Sequence, residues 1–141
     1  MARIKIDIPN EPFASFTIPV RITDLNYGNH VGNDAFVAII HEARMKWLHS
    51  YGYTELDIDG IGLIMSDLAI EFKGESFYGD IVEVKLSAGE ITKVGFELFY
   101  ELTAKRHGEN ILLAKAKTGM VCFDYKAKKV VAIPDMLSAI L

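Results

Sequence analysis

The sequence predicts an α+β fold in which one long helix packs against an antiparallel sheet, in the order β-α-β-β-β-β. Two observations carry this. A single stretch, Asn33 to Tyr51, has the helical period, with Phe36, Ile39, Ile40, Ala43 and Trp47 at spacings of three and four. Everything after "LDIDGIG" alternates with period two and is broken by turn-forming clusters.

In chain order, "FASFTIPVRIT" reads as a first strand. Asn33 or Asp34 is placed to cap the helix and Gly52 to close it. His41, Glu42, Arg44, Lys46 and His49 fill the polar positions between the apolar ones, and Glu42 can pair with Lys46 at i+4. "LAIEF" sets Leu68, Ile70 and Phe72 on one face. "IVEVKLSA" sets Val82, Val84, Leu86 and Ala88 inward, and "VGFELFYELTA" does the same with Val94, Phe96, Leu98, Tyr100, Leu102 and Ala104. The turns are "GESFYGD", "GEITK" and "KRHGEN". In "NILLAKAKTGMVCFDY", Ala114, Ala116 and Thr118 give a face of small side chains against which a helix can lie close. "IPDMLSAIL" forms a short last helix. One helix cannot cover both faces of such a sheet, and Phe99 and Ile81 fall on the second face, so a partner copy is expected.

The 141 residues correspond to one domain spanning 1–141, half hydrophobic and 24% charged, which excludes a disordered chain. Net charge is −4 and the basic groupings are short: "KRH" at Lys105–His107 and "KAKK" at Lys126–Lys129, both read as hairpin ends. That argues against nucleic acid, whose binding needs several phosphates neutralised at once. The lone cysteine, Cys122, lies in an apolar strand and reads as a buried structural thiol. The start "MARIKIDIPNEPF" lacks the apolar core of a signal peptide, and no apolar run has the ~20 residues that span a bilayer. The expectation is a soluble cytoplasmic protein.

The stretch "TDLNYGNHVGNDAF" concentrates the candidate chemistry ahead of the helix. Gly28 and Gly32 let the backbone fold tightly and approach a ligand. The helix start offers unpaired N–H groups and a positive dipole end that can polarise a carbonyl. Asp24, Asn26, His30 and Asp34 surround it, with Glu42 two turns further along. A water aimed at an activated carbonyl suits these parts. The same residues also suit a turn and a helix cap, and both readings stand at this level. Neither a G-x-S-x-G elbow, nor a phosphate-binding G-x-x-x-x-G-K, nor a zinc-protease H-E-x-x-H occurs.

"RITDLNYGNHVGNDAFVAIIHEAR" resembles the signature of hotdog-fold thioesterases of the 4-hydroxybenzoyl-CoA thioesterase-like group, roughly R-x-x-D-x-D-x-x-G-H-V-N-N-x-x-Y before a helix with E-x-A-R. The similarity runs on through "FYGD" to "GMVCFDYKAKKVVAIPDML". It implies a helix wrapped by a five- to six-stranded sheet and dimers that join their sheets. Sites are then expected at the dimer interface near the helix N-terminus, hydrolysing acyl-CoA or acyl-carrier-protein thioesters without metal or organic cofactor. Asp24 matches the first, largely structural aspartate. Asn26 replaces the second, the usual carboxylate nucleophile or base, and Phe36 replaces the usual Tyr. The D-x-N and H-V-x-N elements are also similar to plant acyl-ACP thioesterases. The resemblance thus makes Asp24, Asn26, His30 and Glu42 catalytic candidates, with Glu42 matched to the helix Glu as base. Gly28, Gly32, Asn33, Phe36 and Lys73 are the substrate-binding candidates, in a homodimer or tetramer. Two alternatives are a hotdog enoyl-CoA hydratase, whose G-D-x-N-P-x-H stretch "DLNYGNH" partly matches, and a non-catalytic acyl-CoA or acyl-carrier binder.

Overall fold

The computed structural model describes residues 3–141. Strand β1 (Ala14–Pro19) leads through a short 3-10 turn (Ile22–Asp24) to helix α1 (Asn33–His49). Strands β2 (Gly62–Phe72), β3 (Ile81–Ile91), β4 (Gly95–Arg106), β5 (Glu109–Asp124) and β6 (Lys129–Val130) follow, then a one-turn helix α2 (Asp135–Ser138). All pairings are antiparallel, in the order β1-β3-β4-β5-β2, with β6 added to β5. The sheet curls around α1, which is the hotdog architecture that the sequence led us to expect.

The helix buries Ala35, Phe36, Ile39, Ile40, Ala43, Arg44, Trp47 and Leu48 against the inward residues of β3, β4 and β5. Ala114, Ala116 and Thr118 are fully buried beneath it, as their size anticipates. Trp47 anchors the far end between Phe13 and Phe96, with ring centroids 5.4 and 6.3 Å away. Its indole N–H has no partner among the described residues, a cost of about 1–3 kcal/mol that the packing of the large ring offsets. Cys122 is buried among these residues and burial pushes its thiol up to about 11, so it is an inert structural group.

Several sequence expectations change. The N-cap of α1 is Gly32, with no side-chain cap bond, so neither Asn33 nor Asp34 caps it. Gly52 does close the other end, at φ +79, its N–H donating to His49. "GEITK" is not all turn: β3 runs through Gly89–Ile91 with a bulge, because a glycine at 89 leaves room for the Phe99 ring. The "KRHGEN" hairpin turns on His107 and Gly108, both at positive φ.

The second face of the sheet also differs. The N-terminal arm, residues 3–12, lies across it: Ile6 N–H donates to the outward Glu71 carboxylate at 3.2 Å, and the Asn10 amide to Ala88 O at 2.6 Å. Ile6 and the outward Ser87 are buried as a result. Elsewhere this face carries polar pairs, Ser15–Glu83 and Lys117 with Asp67 and Glu97. On this face Ile81 is exposed and Phe99 is half-buried. Apolar side chains are also bare along β2, an edge strand, where Met65 and Phe72 are each 41% exposed and Leu68 and Ile70 are half-buried.

Candidate active site

Residues 20–32 form a loop pinned at three points. Val20 N–H donates to Asp80 O at 3.0 Å, Val31 N–H to Ser76 O at 2.8 Å, and Gly32 N–H to Asp24 O at 3.0 Å. Asp24 is only 6% exposed, and its carboxylate accepts the Arg21 N–H at 2.8 Å and the Arg21 guanidinium at 3.3 Å. Both ends of the loop thus close on Asp24, which fits the structural part expected of it.

Between these pins the chain closes on itself. Asn26 N–H donates to His30 O (2.9 Å), Asn29 N–H to Asn26 O (3.1 Å), and Gly28 N–H to Asn26 Oδ1 (2.8 Å). Asn29 takes φ 63, which an asparagine tolerates well. Because Gly28 contributes a donor, the atom it meets must be the amide oxygen, so the Nδ2 end of Asn26 is left to donate. The half-buried His30 ring lies over Gly28: a Cβ there would come 3.1 Å from Nε2 and 3.3 Å from Asn26 Oδ1. Asn26 and His30 therefore flank one glycine, and any side chain at 28 would wedge between them. At Gly32 a Cβ would meet Asp34 Oδ1 at 2.7 Å, so the missing side chain lets that carboxylate fold back over the helix start. No side-chain cap bond closes the helix start, and Asn33 and Asp34 in its first turn are exposed beside its positive dipole end.

The remaining candidates separate. Phe36 is 3% exposed and meets Phe72 edge-on at 5.5 Å, so it is chiefly core with one exposed aromatic neighbour. Glu42 is exposed and makes no ion pair among the described residues, Lys46 included. It lines a cleft with Ile18, Pro19, Arg21, Asp24 and Lys46 that does not contain Asn26 or His30. Lys73 pairs with Glu71 at 2.9 Å.

The "FYGD" stretch supports the loop from below. The Asp80 carboxylate accepts from Ser76 Oγ (2.8 Å), Phe77 N–H (3.0 Å) and Arg106 Nη2 (2.8 Å). Burial alone would raise this carboxyl, but the Arg106 guanidinium and the two other donors outweigh it and hold it below the usual range. Arg106 also donates to Glu75 O and stacks on the Phe77 ring at 5.0 Å. It is therefore committed to structure rather than free for a phosphate.

Sequence reasoning missed a buried chain of polar groups. Thr118 Oγ1 and Tyr100 OH are 2.7 Å apart, and Arg44 donates to Tyr100 OH at 3.2 Å and to Glu55 Oε2 at 2.8 Å. Glu55 Oε1 also meets His41 Nε2 at 2.5 Å. Burial opposes the charge on Arg44, yet Tyr100 and Glu55 hold it above its usual value, while burial pushes the Tyr100 phenol up. A signal did exist: Arg44 falls four after Ile40 and three before Trp47, on the apolar stripe.

A protein whose single long helix starts at such a loop, inside a curled antiparallel sheet, is a hotdog-fold protein of the thioesterase type. The chain belongs to the thioesterase-like superfamily, whose model matches residues 20–141. It is similar to a protein of Aquifex aeolicus provisionally named an esterase, 28% identical over 113 residues, covering 79% of this chain and 84% of that one. A 1,4-dihydroxy-2-naphthoyl-CoA thioesterase from Synechocystis shares the fold, with TM-score 0.78 and 23% identity over 89% of this chain and 93% of that one. So does a provisionally assigned thioesterase from Pseudomonas aeruginosa, with TM-score 0.82 and 20% identity over 92% and 98% of the two chains. No helix of the described residues is long and apolar enough to cross a membrane.

Proposed function

We propose that the protein is a thioester hydrolase acting on acyl-CoA or acyl-carrier-protein thioesters, with its site at the 24–33 loop. The observation that carries this is the pairing of Asn26 and His30 around Gly28, next to the uncapped start of α1. In this reading the first-turn N–H groups and Asn26 Nδ2 receive the thioester carbonyl as charge builds on its oxygen. His30 orients the attacking water, and Asp24 holds the loop in shape. Glu42 is the carboxylate on the helix available as base. Gly28, Gly32 and Asn33 let the ligand approach the backbone, and Phe36 with Phe72 offers an apolar wall. Lys73, next in sequence to Phe72, meets phosphate when it leaves Glu71. The Synechocystis protein's named substrate, an aroyl-CoA, supports the choice of CoA esters.

Asn26→Ala and His30→Ala are each expected to lower kcat/KM for thiol release at least tenfold, about 1.4 kcal/mol of transition-state stabilisation, with the fold intact by circular dichroism. Unchanged kcat/KM in both would remove the loop from the reaction.

The same reading includes a homodimer or tetramer formed through β2. An eleven-residue edge strand with bare Met65 and Phe72 is a template for pairing with a second copy. Light scattering is expected to return at least twice the 15.7 kDa chain mass, and a monomer at micromolar concentration would contradict it.

A further inference from the structure

Of the four histidines, all within the described residues, only His41 has a carboxylate partner. Its Nε2 lies 2.5 Å from Glu55 Oε1, while Arg44, 4% exposed, donates to the other oxygen of the same carboxylate at 2.8 Å. Arg44 also donates to Tyr100 OH, so Glu55 is held from a buried side, and an imidazole donating to it through Nε2 presents Nδ1 as its acceptor nitrogen. His41, Arg44 and Glu55 form the polar side of a cleft whose apolar wall is Val37, Ile40, Leu63, Met65 and Leu68. An apolar cleft with one oriented base at its mouth suits an acyl chain with its thioester at the rim.

His41 lies about 13 Å along α1 from Gly32, too far to act on a carbonyl held at the start of the same helix. Its cleft includes Met65 and Leu68 of β2, the free edge of the sheet. We infer that His41 of one copy, oriented by Glu55, is the general base for a thioester whose carbonyl is held by the 24–33 loop of a second copy joined across β2. This rests on the thioester-hydrolase reading and moves the base from Glu42 to His41. Nδ1 takes a proton from water as the water oxygen bonds to the carbonyl carbon. The tetrahedral intermediate then collapses with cleavage of the C–S bond, the imidazolium returns its proton to the leaving sulfur, and carboxylic acid and thiol depart.

The test uses His41→Gln, His49→Gln and His30→Ala, assayed for thiol release from acyl-CoA. His41 is 55% exposed, so its variant is expected to melt where the wild type does. His41→Gln should lose at least a hundredfold in kcat while His49→Gln, at an exposed position of the same helix, keeps its rate. Unfolded and refolded together in equal amounts, His41→Gln and His30→Ala should recover about a quarter of wild-type activity. Half the dimers are then mixed, and each mixed dimer holds one intact composite site. Full activity in His41→Gln overturns the inference and leaves the thioesterase reading standing. Two inactive variants that gain nothing on mixing also overturn it, since both residues then act within one copy. A wild type that releases no thiol from any substrate removes the reading beneath it.

Discussion

Arg44→Ala is expected to destabilise the protein by about 3–5 kcal/mol, because it leaves one end of the Thr118–Tyr100–Glu55 chain unmet inside the fold. The magnitude follows from asymmetry. A buried ion pair adds little net stability, but removing one partner strands the other and opens a cavity at a site only 4% exposed. Arg44→Met combined with Glu55→Gln removes both charges and should recover much of the loss. Urea melts of the three proteins measure this. Equal destabilisation by the single and the paired replacement would show that neither the stranded charge nor the cavity accounts for the loss.

Asp80→Ala should cost a similar ~3–5 kcal/mol, since it releases the Arg106 guanidinium, the Phe77 N–H and the Ser76 hydroxyl together. It also loosens the support to which Val20 and Val31 are tied, so the candidate site should suffer with it. The pH dependence has a definite sign. The folded carboxyl is held below its unfolded value, ~3.9, so its contribution is present above that pH and fades as acid protonates it. Acid titration of stability below roughly pH 4 should therefore be steeper in the wild type than in Asp80→Asn. Parallel curves would mean that the Arg106 pairing does not favour the ionised form.

The sequence made most of the fold legible because period and punctuation are local. Phe36, Ile39, Ile40, Ala43 and Trp47 mark a helix without reference to anything else, and each β3 and β4 residue expected to face inward from Val82 to Leu86 and from Phe96 to Ala104 is buried. What stayed hidden depends on distant partners. Arg44 looks like a solvated helix residue until Tyr100 and Glu55 are folded against it. The arm carrying Ile6 and Asn10 shows no strand period, because it is held by single bonds to Glu71 and Ala88 instead of a ladder. That is why the cover this arm lays over Ser87 was not legible in the sequence.

For the site, residue types were legible and their commitments were not. The D-x-N pattern exposes the missing carboxylate at Asn26, but only geometry shows its oxygen occupied by Gly28 and its amide NH₂ free. Likewise Glu42 and His41 are neighbours in sequence, yet α1 turns them into different clefts, one with Asp24 and the other with Glu55.

The central claim, thioester hydrolysis, is tested most directly by incubating the wild type with short, long and aromatic acyl-CoAs and following free thiol, with crotonyl-CoA monitored for loss of its double bond. Saturable thiol release from at least one ester is expected, in step with free acid and with no hydration of crotonyl-CoA. Hydration without thiol release, or tight binding with neither product, would contradict it and make the protein a hydratase or an acyl-CoA carrier on the same fold.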